Sequence, residues 1–108
     1  MSTGYKCVFA IVNKGFAEEA MEAAKACGAR GGTILNARGT MSKEAERAFN
    51  LTIQPDKEIV MILVKEELTD GILKGLYNAI GTSTKAHGIV FAIPVDEAAG
   101  LGNAPQTH

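Results

Sequence analysis

Few side chains in this 108-residue chain have the type and spacing for covalent chemistry. The two histidines are His87, inside a polar stretch, and His108, the last residue, and neither is followed at triad or metal-ligand spacing by a partner. Asp96-Glu97 is an acidic pair with no third ligand in sight and reads as a solvated turn. Ser42, Ser83 and the threonines have no base near them in sequence, and no catalytic residue is assigned. Cys7 and Cys27 fall inside apolar patterns without close metal-ligand spacing, so they read as reduced, buried thiols rather than as a disulfide or a metal site. Glycines and cations are more informative. Gly31-Gly32, Gly39, Gly81 and Gly88 stand where turns could bring backbone N–H groups to an anion, and Arg38, Lys57 and Lys85 could add charge. No Walker or dinucleotide fingerprint is present, so each glycine taken singly also reads as a helix stop or a turn.

Such groups need elements to hold them. The run Cys7–Val12 is a strand closed by Asn13-Lys14-Gly15, and from Phe16 to Cys27 apolar residues recur at helical spacing, with Gly28 placed to end the helix. Thr33–Ala37 is a shorter strand. A polar stretch from Arg38 to Asp56 follows, too long for an ordinary hairpin and therefore the best place for an active segment. Within it Ser42 can cap a short helix, with Glu44 in its first turn and Phe49 as its apolar anchor. Glu58–Val64 is the third strand, Thr69 is placed to cap a helix with Ile72, Leu73, Leu76, Tyr77 and Ile80 on one face, and Gly81 ends it. The loop Thr82–His87 leads to a fourth strand, Gly88–Ile93, which Pro94 should terminate. The order βαββαβ predicts an α+β, ferredoxin-like sandwich: a four-stranded antiparallel sheet with both helices on one face. Residues 1–101 form this single domain and 102–108 a flexible tail with little to bury.

The strands do not alternate. Val8, Ala10 and Val12 point to one face and Cys7, Phe9 and Ile11 to the other, so both faces of the sheet are apolar although two helices can cover only one. The cheapest cover is the same face on other copies, in a closed oligomer. Eleven Lys/Arg against twelve Asp/Glu give a net charge of −1, which argues against nucleic acid as a partner. No apolar run is long enough to span a membrane and no signal peptide is visible, so the expected location is the cytoplasm.

Three stretches carry a resemblance: Gly31-Gly32-Thr33-Ile34-Leu35-Asn36-Ala37-Arg38-Gly39-Thr40, Ile53-Gln54-Pro55-Asp56-Lys57-Glu58-Ile59-Val60, and Gly88-Ile89-Val90-Phe91-Ala92-Ile93-Pro94-Val95-Asp96. Together they resemble the PII family of nitrogen-regulatory signalling proteins, and within it a divergent bacterial PII-like branch. The resemblance implies a compact homotrimer with sheets facing inward and no enzymatic activity. It further implies ATP or ADP as an effector in clefts between subunits, with magnesium as an optional companion and no obligatory cofactor. The implied nucleotide site comprises Thr33, Arg38, Gly39, Lys57, Gly81, Thr82, Ser83, Thr84, Lys85 and Gly88. The loop from about residue 40 to 54 corresponds to the family's T-loop, with Thr40, Met41, Ser42, Lys43, Arg47 and Phe49 facing a regulated protein, such as a membrane transporter.

The departures from the family pattern matter equally. The loop contains no tyrosine, so the uridylylation switch of the enterobacterial members should be absent. Ile89 stands where typical members carry a phosphate-binding lysine, and Pro94–Gly100 replaces the usual arginines, which should weaken ATP or favour a less charged ligand; Lys85 could compensate in part. Two other readings stay open: a trimeric interaction module that needs no ligand, and a small phosphatase or nucleotide hydrolase on the same fold.

Overall fold

The computed structural model describes residues 3–49 and 54–101. The proposed tail 102–108, residues 50–53 of the long loop and the Phe49 side chain lie outside the described residues. Strand β1 spans Tyr5–Asn13, helix α1 Ala17–Ala26, β2 Thr33–Arg38, α2 Lys43–Phe49, β3 Asp56–Lys65, α3 Thr69–Ile80 and β4 Ile89–Pro94, with a 3-10 turn at Glu66–Leu68. All neighbours in the sheet order β2-β3-β1-β4 run antiparallel, which is the ferredoxin-like arrangement expected from the element order. Helix α1 ends where Gly28 adopts a φ of 107° and the N–H groups of Gly28 and Ala29 return to the Lys25 and Ala24 carbonyls, a Schellman motif that a side chain would strain. Among the described residues no helix is long and apolar enough to cross a membrane.

Register explains the core. Val8 stands between Ile62 and Ala92, and Ala10 between Val60 and Val90, on the face that α1 and α3 cover with Ala20, Met21, Ala24, Ile72, Leu76 and Ile80. The opposite face carries Phe9 between Met61 and Phe91, Ile11 between Ile59 and Ile89, and Cys7 between Leu63 and Ile93. The chain leaves this face bare: Ile89 is 57% exposed, Leu63 47%, Ile93 46% and Phe91 40%. Phe9 and Phe91 stack with ring centroids 5.0 Å apart, so the face is ordered as well as apolar.

Pro94 is the last residue of the fourth strand, opposite Lys6, and is tolerated there because β4 is an edge strand. One local expectation is corrected. Thr69 does not cap α3. The 3-10 turn runs straight into the helix, so Thr69 already has helical dihedrals (φ −58°, ψ −50°), whereas a capping side chain needs extended backbone. Its hydroxyl is instead buried with no hydrogen-bond partner among the described residues. Replacing it with the similarly shaped Thr69→Val is expected to raise the unfolding free energy by about 1 kcal/mol, read from urea midpoints at one fixed protein concentration.

Candidate functional site

Most of the predicted site residues fall at one end of the sheet, where β1 finishes, β3 begins and the α3–β4 loop returns. Backbone bonds weld these pieces together. Lys14 N–H donates to Asp56 O at 3.0 Å, Gly39 N–H to Pro55 O at 2.8 Å, and Asn13 N–H to Ala86 O at 2.9 Å. The Gly39 bond closes the base of the long loop, and within that loop Ser42 does cap α2: its Oγ accepts from Ala45 N–H at 3.1 Å. Thr40, Met41, Ser42, Lys43 and Arg47 are all exposed.

Lys57 sits on the bare face of the sheet in one row with Asn13 and Ala37. Its ammonium donates to the Asn13 amide oxygen, and burial holds it below the usual lysine value. The next residue, Glu58, points to the helix face beside Val12. There its carboxylate accepts from Gly15 N–H at 2.8 Å and Ala17 N–H at 3.2 Å. The start of α1 is therefore already neutralised by the chain's own anion. Cys7 is buried and Cys27 half-buried, both as free thiols, and burial pushes the Cys7 thiol up. Among the described residues no three His, Cys, Asp or Glu side chains stand close enough to share a metal ion.

The loop Gly81–Gly88 is compact, and most of its N–H groups turn inward. Gly81 donates to Tyr77 O at 2.9 Å, Thr84 to Gly81 O at 3.0 Å, His87 to Thr84 O at 3.0 Å, Gly88 to Ile80 O at 2.7 Å, and Ala86 to Thr84 Oγ1 at 3.3 Å. The Thr84 hydroxyl donates to Gly81 O at 2.8 Å, and a Cβ on Gly88 would collide with the Ile80 carbonyl. Thr82, Ser83 and Lys85 keep N–H groups without a protein acceptor among the described residues. The expected phosphate cradle is thus smaller than its glycines imply.

The chain does not bring all the predicted residues together. Arg38 lies opposite Asp56 on the alternate face from Lys57, so the two cations point apart. Thr33 shares the bare face but pairs with Met61, five residues from Arg38 and so roughly 17 Å up the strand. Two shallow depressions on the chain lie elsewhere. One, between α3 and β4, is lined by Leu73, Tyr77 and Val90; the other is lined by Tyr5, Arg30, Lys65 and Leu101. Asn13 and Glu58 are the residues that sequence reasoning missed. The sign available for Asn13 was a carboxamide closing an otherwise apolar strand, and for Glu58 a carboxylate next to a lysine at the foot of another.

The family model described as nitrogen regulatory protein P-II matches residues 5–102. The chain belongs to the P-II family. Among solved P-II structures, Bacillus subtilis GlnK in complex with ATP superimposes with a TM-score of 0.71 at 14% identity, covering 96% of this chain and 93% of that one. Arabidopsis thaliana PII bound to citrate gives 0.69 at 18% identity, with 97% and 92% covered. CPII, a nitrogen regulatory PII-like protein from Thiomonas intermedia K12 bound to ADP, AMP and bicarbonate, gives 0.63 at 21% identity, with 84% and 89% covered. At such identities the likeness is one of fold. No curated protein matches the sequence.

The lowered Lys57 value has a testable consequence for this P-II chain. The folded state releases that proton at a lower pH than the unfolded state, so the burial penalty is present in full at neutral pH and is relieved as the pH climbs through the lowered value toward 10.5. The stability of the wild type relative to Lys57→Met is expected to rise as the pH climbs through the lowered value to the ordinary lysine value, measured as the difference in urea midpoints.

Proposed function

We propose that the chain is a non-enzymatic P-II signal transducer. It forms a homotrimer, binds an adenine nucleotide in the clefts between subunits, and reports occupancy to a regulated protein through the loop at residues 40–54. The observation that carries this reading is the junction beneath that loop: Lys57, Asn13 and the Lys85–Ala86 backbone are hydrogen-bonded into one unit within two residues of the loop's Pro55–Gly39 closure. An anion bound there sits where it can bias the loop above. That ATP accompanies the Bacillus GlnK and ADP and AMP the Thiomonas protein favours a nucleotide as the ligand.

The bare face supports self-association in this reading. Leaving its larger apolar side chains in water forgoes roughly 1.5–3 kcal/mol each, a sum comparable to a domain's whole net stability of about 5–15 kcal/mol. A neighbouring copy would also bring a second Thr33 and Arg38 toward the cleft, which the single chain keeps apart from Lys57. In this reading the protein works in the cytoplasm and takes part in nitrogen regulation, with a membrane transporter as one class of partner. A ligand-independent trimeric module is the second reading, favoured by the inward-turned N–H groups of the 81–88 loop.

Calorimetric titration separates the two. ATP or ADP, with or without magnesium, is expected to bind at one site per subunit, and Lys57→Ala to weaken it about tenfold or more. No heat from any adenine nucleotide at millimolar concentration leaves the second reading standing. Sedimentation is expected to show a three-copy particle, with Phe91→Asp shifting it toward single copies because a carboxylate cannot be buried unpaired in an apolar seam. A stable single-copy wild type sinks the proposed cleft.

A further inference from the structure

At the end of β1 one side chain serves two partners. The Asn13 amide oxygen accepts from the Lys57 ammonium, while its Nδ2 donates to Lys85 O at 3.0 Å. Both backbone groups of the same residue are also engaged, the N–H with Ala86 O at 2.9 Å and the carbonyl with Phe16 N–H at 3.2 Å. The main chain at Asn13 is therefore fixed, and the carboxamide plane is fixed at both of its ends. Only a side chain presenting an acceptor and a donor from one planar group fits these two neighbours. A carboxylate lacks the donor, and a lysine or an alanine lacks the acceptor.

The charge arrangement is equally specific. Lys57 is partly withdrawn from water, yet its partner is a neutral oxygen, and the adjacent carboxylate of Glu58 is spent on the start of α1 on the other face. An ammonium has three donors, so the bond to Asn13 leaves it charged, aimed and still able to take an anion. The same carboxamide holds down the Lys85–Ala86 segment, beside the N–H of Lys85 that has no acceptor among the described residues.

We propose that Asn13 is a positioning residue for the anion subsite: it aims the Lys57 ammonium and ties it to the 81–88 loop, so that the two respond to a bound phosphate as one unit. This rests on the function proposed above. Its energetic role is preorganisation, since a pre-aimed ammonium and a pinned loop lose less freedom when the ligand arrives.

Three variants test it: Asn13→Ala, Asn13→Asp and Lys57→Ala, each checked for native circular dichroism. With ADP as the probe, Asn13→Ala is expected to weaken binding about threefold to tenfold. Asn13→Asp keeps the shape but places a carboxylate on the ammonium, and is expected to weaken binding as much as Lys57→Ala. The double variant Asn13→Ala with Lys57→Ala is expected to lose less than the two single losses combined, because part of the Asn13 effect acts through Lys57. Additive losses, or wild-type affinity in Asn13→Asp, overturn the proposal. Two readouts need no ligand. Acylation of the Lys57 amine is expected to quicken in Asn13→Ala and to slow in Asn13→Asp, and the Gly88 amide to exchange faster in both. If the wild type gives no heat with ADP, ATP or AMP, the proposed function fails on its own, while unchanged Lys57 labelling and Gly88 exchange in both Asn13 variants still overturn the positioning role.

Discussion

A sheet has two faces, and this chain carries helices enough for one. The strands are apolar on both sides, with Val8, Ala10, Val12, Val60 and Ile62 beneath α1 and α3, and Phe9, Ile11, Met61, Leu63 and Phe91 on the side the chain leaves open. That imbalance is the constraint on which the rest depends. It explains why so short a chain can be built on so apolar a sheet, and it leaves Lys57 at the margin of the open face. The two faces differ in their ends as well. On the helix side the sheet terminates in a carboxylate fixed to the start of α1; on the open side it terminates in an ammonium held by a carboxamide.

The margin of the open face is polar but not strongly charged. Arg38 is turned to the other side, Glu58 is consumed locally, and the 81–88 loop satisfies five of its own N–H groups. Among the described residues what is left is a lysine, a carboxamide and three unspent N–H groups. The hydrogen bonds of this margin continue directly into the strands that carry the long loop.

Much of this was legible in the sequence because it depends on periodicity. The change from a period of two to one near four at Phe16, the repeat of the same plan after Glu58, and the failure of the strands to alternate gave the element order and the second apolar face. The Ser42 cap was legible too, since it is a local bond between near neighbours. What escaped was non-local. Asn13 looked like punctuation at the end of a strand, because its partners Lys57 and Lys85 are more than forty and seventy residues away. Arg38, Lys57 and Lys85 read together as charge for one anion, because only the pairing register reveals that Arg38 and Lys57 face opposite ways. Thr69 had the right residue type for a cap but the wrong backbone, a matter decided by how the preceding turn runs.

The alternation at the foot of β3 carries a further consequence. Ordinarily a one-residue slip between strands is prevented by greasy residues appearing on the wet side, but a sheet apolar on both sides forfeits that safeguard. Here Lys57 and Glu58 supply it. Shifted by a single position, the carboxylate would leave the helix start for the Asn13 amide oxygen, and the ammonium would meet the positive end of α1. Two favourable polar contacts would become two repulsive ones, so the correct alignment is proofread by charge where hydrophobicity cannot tell the difference.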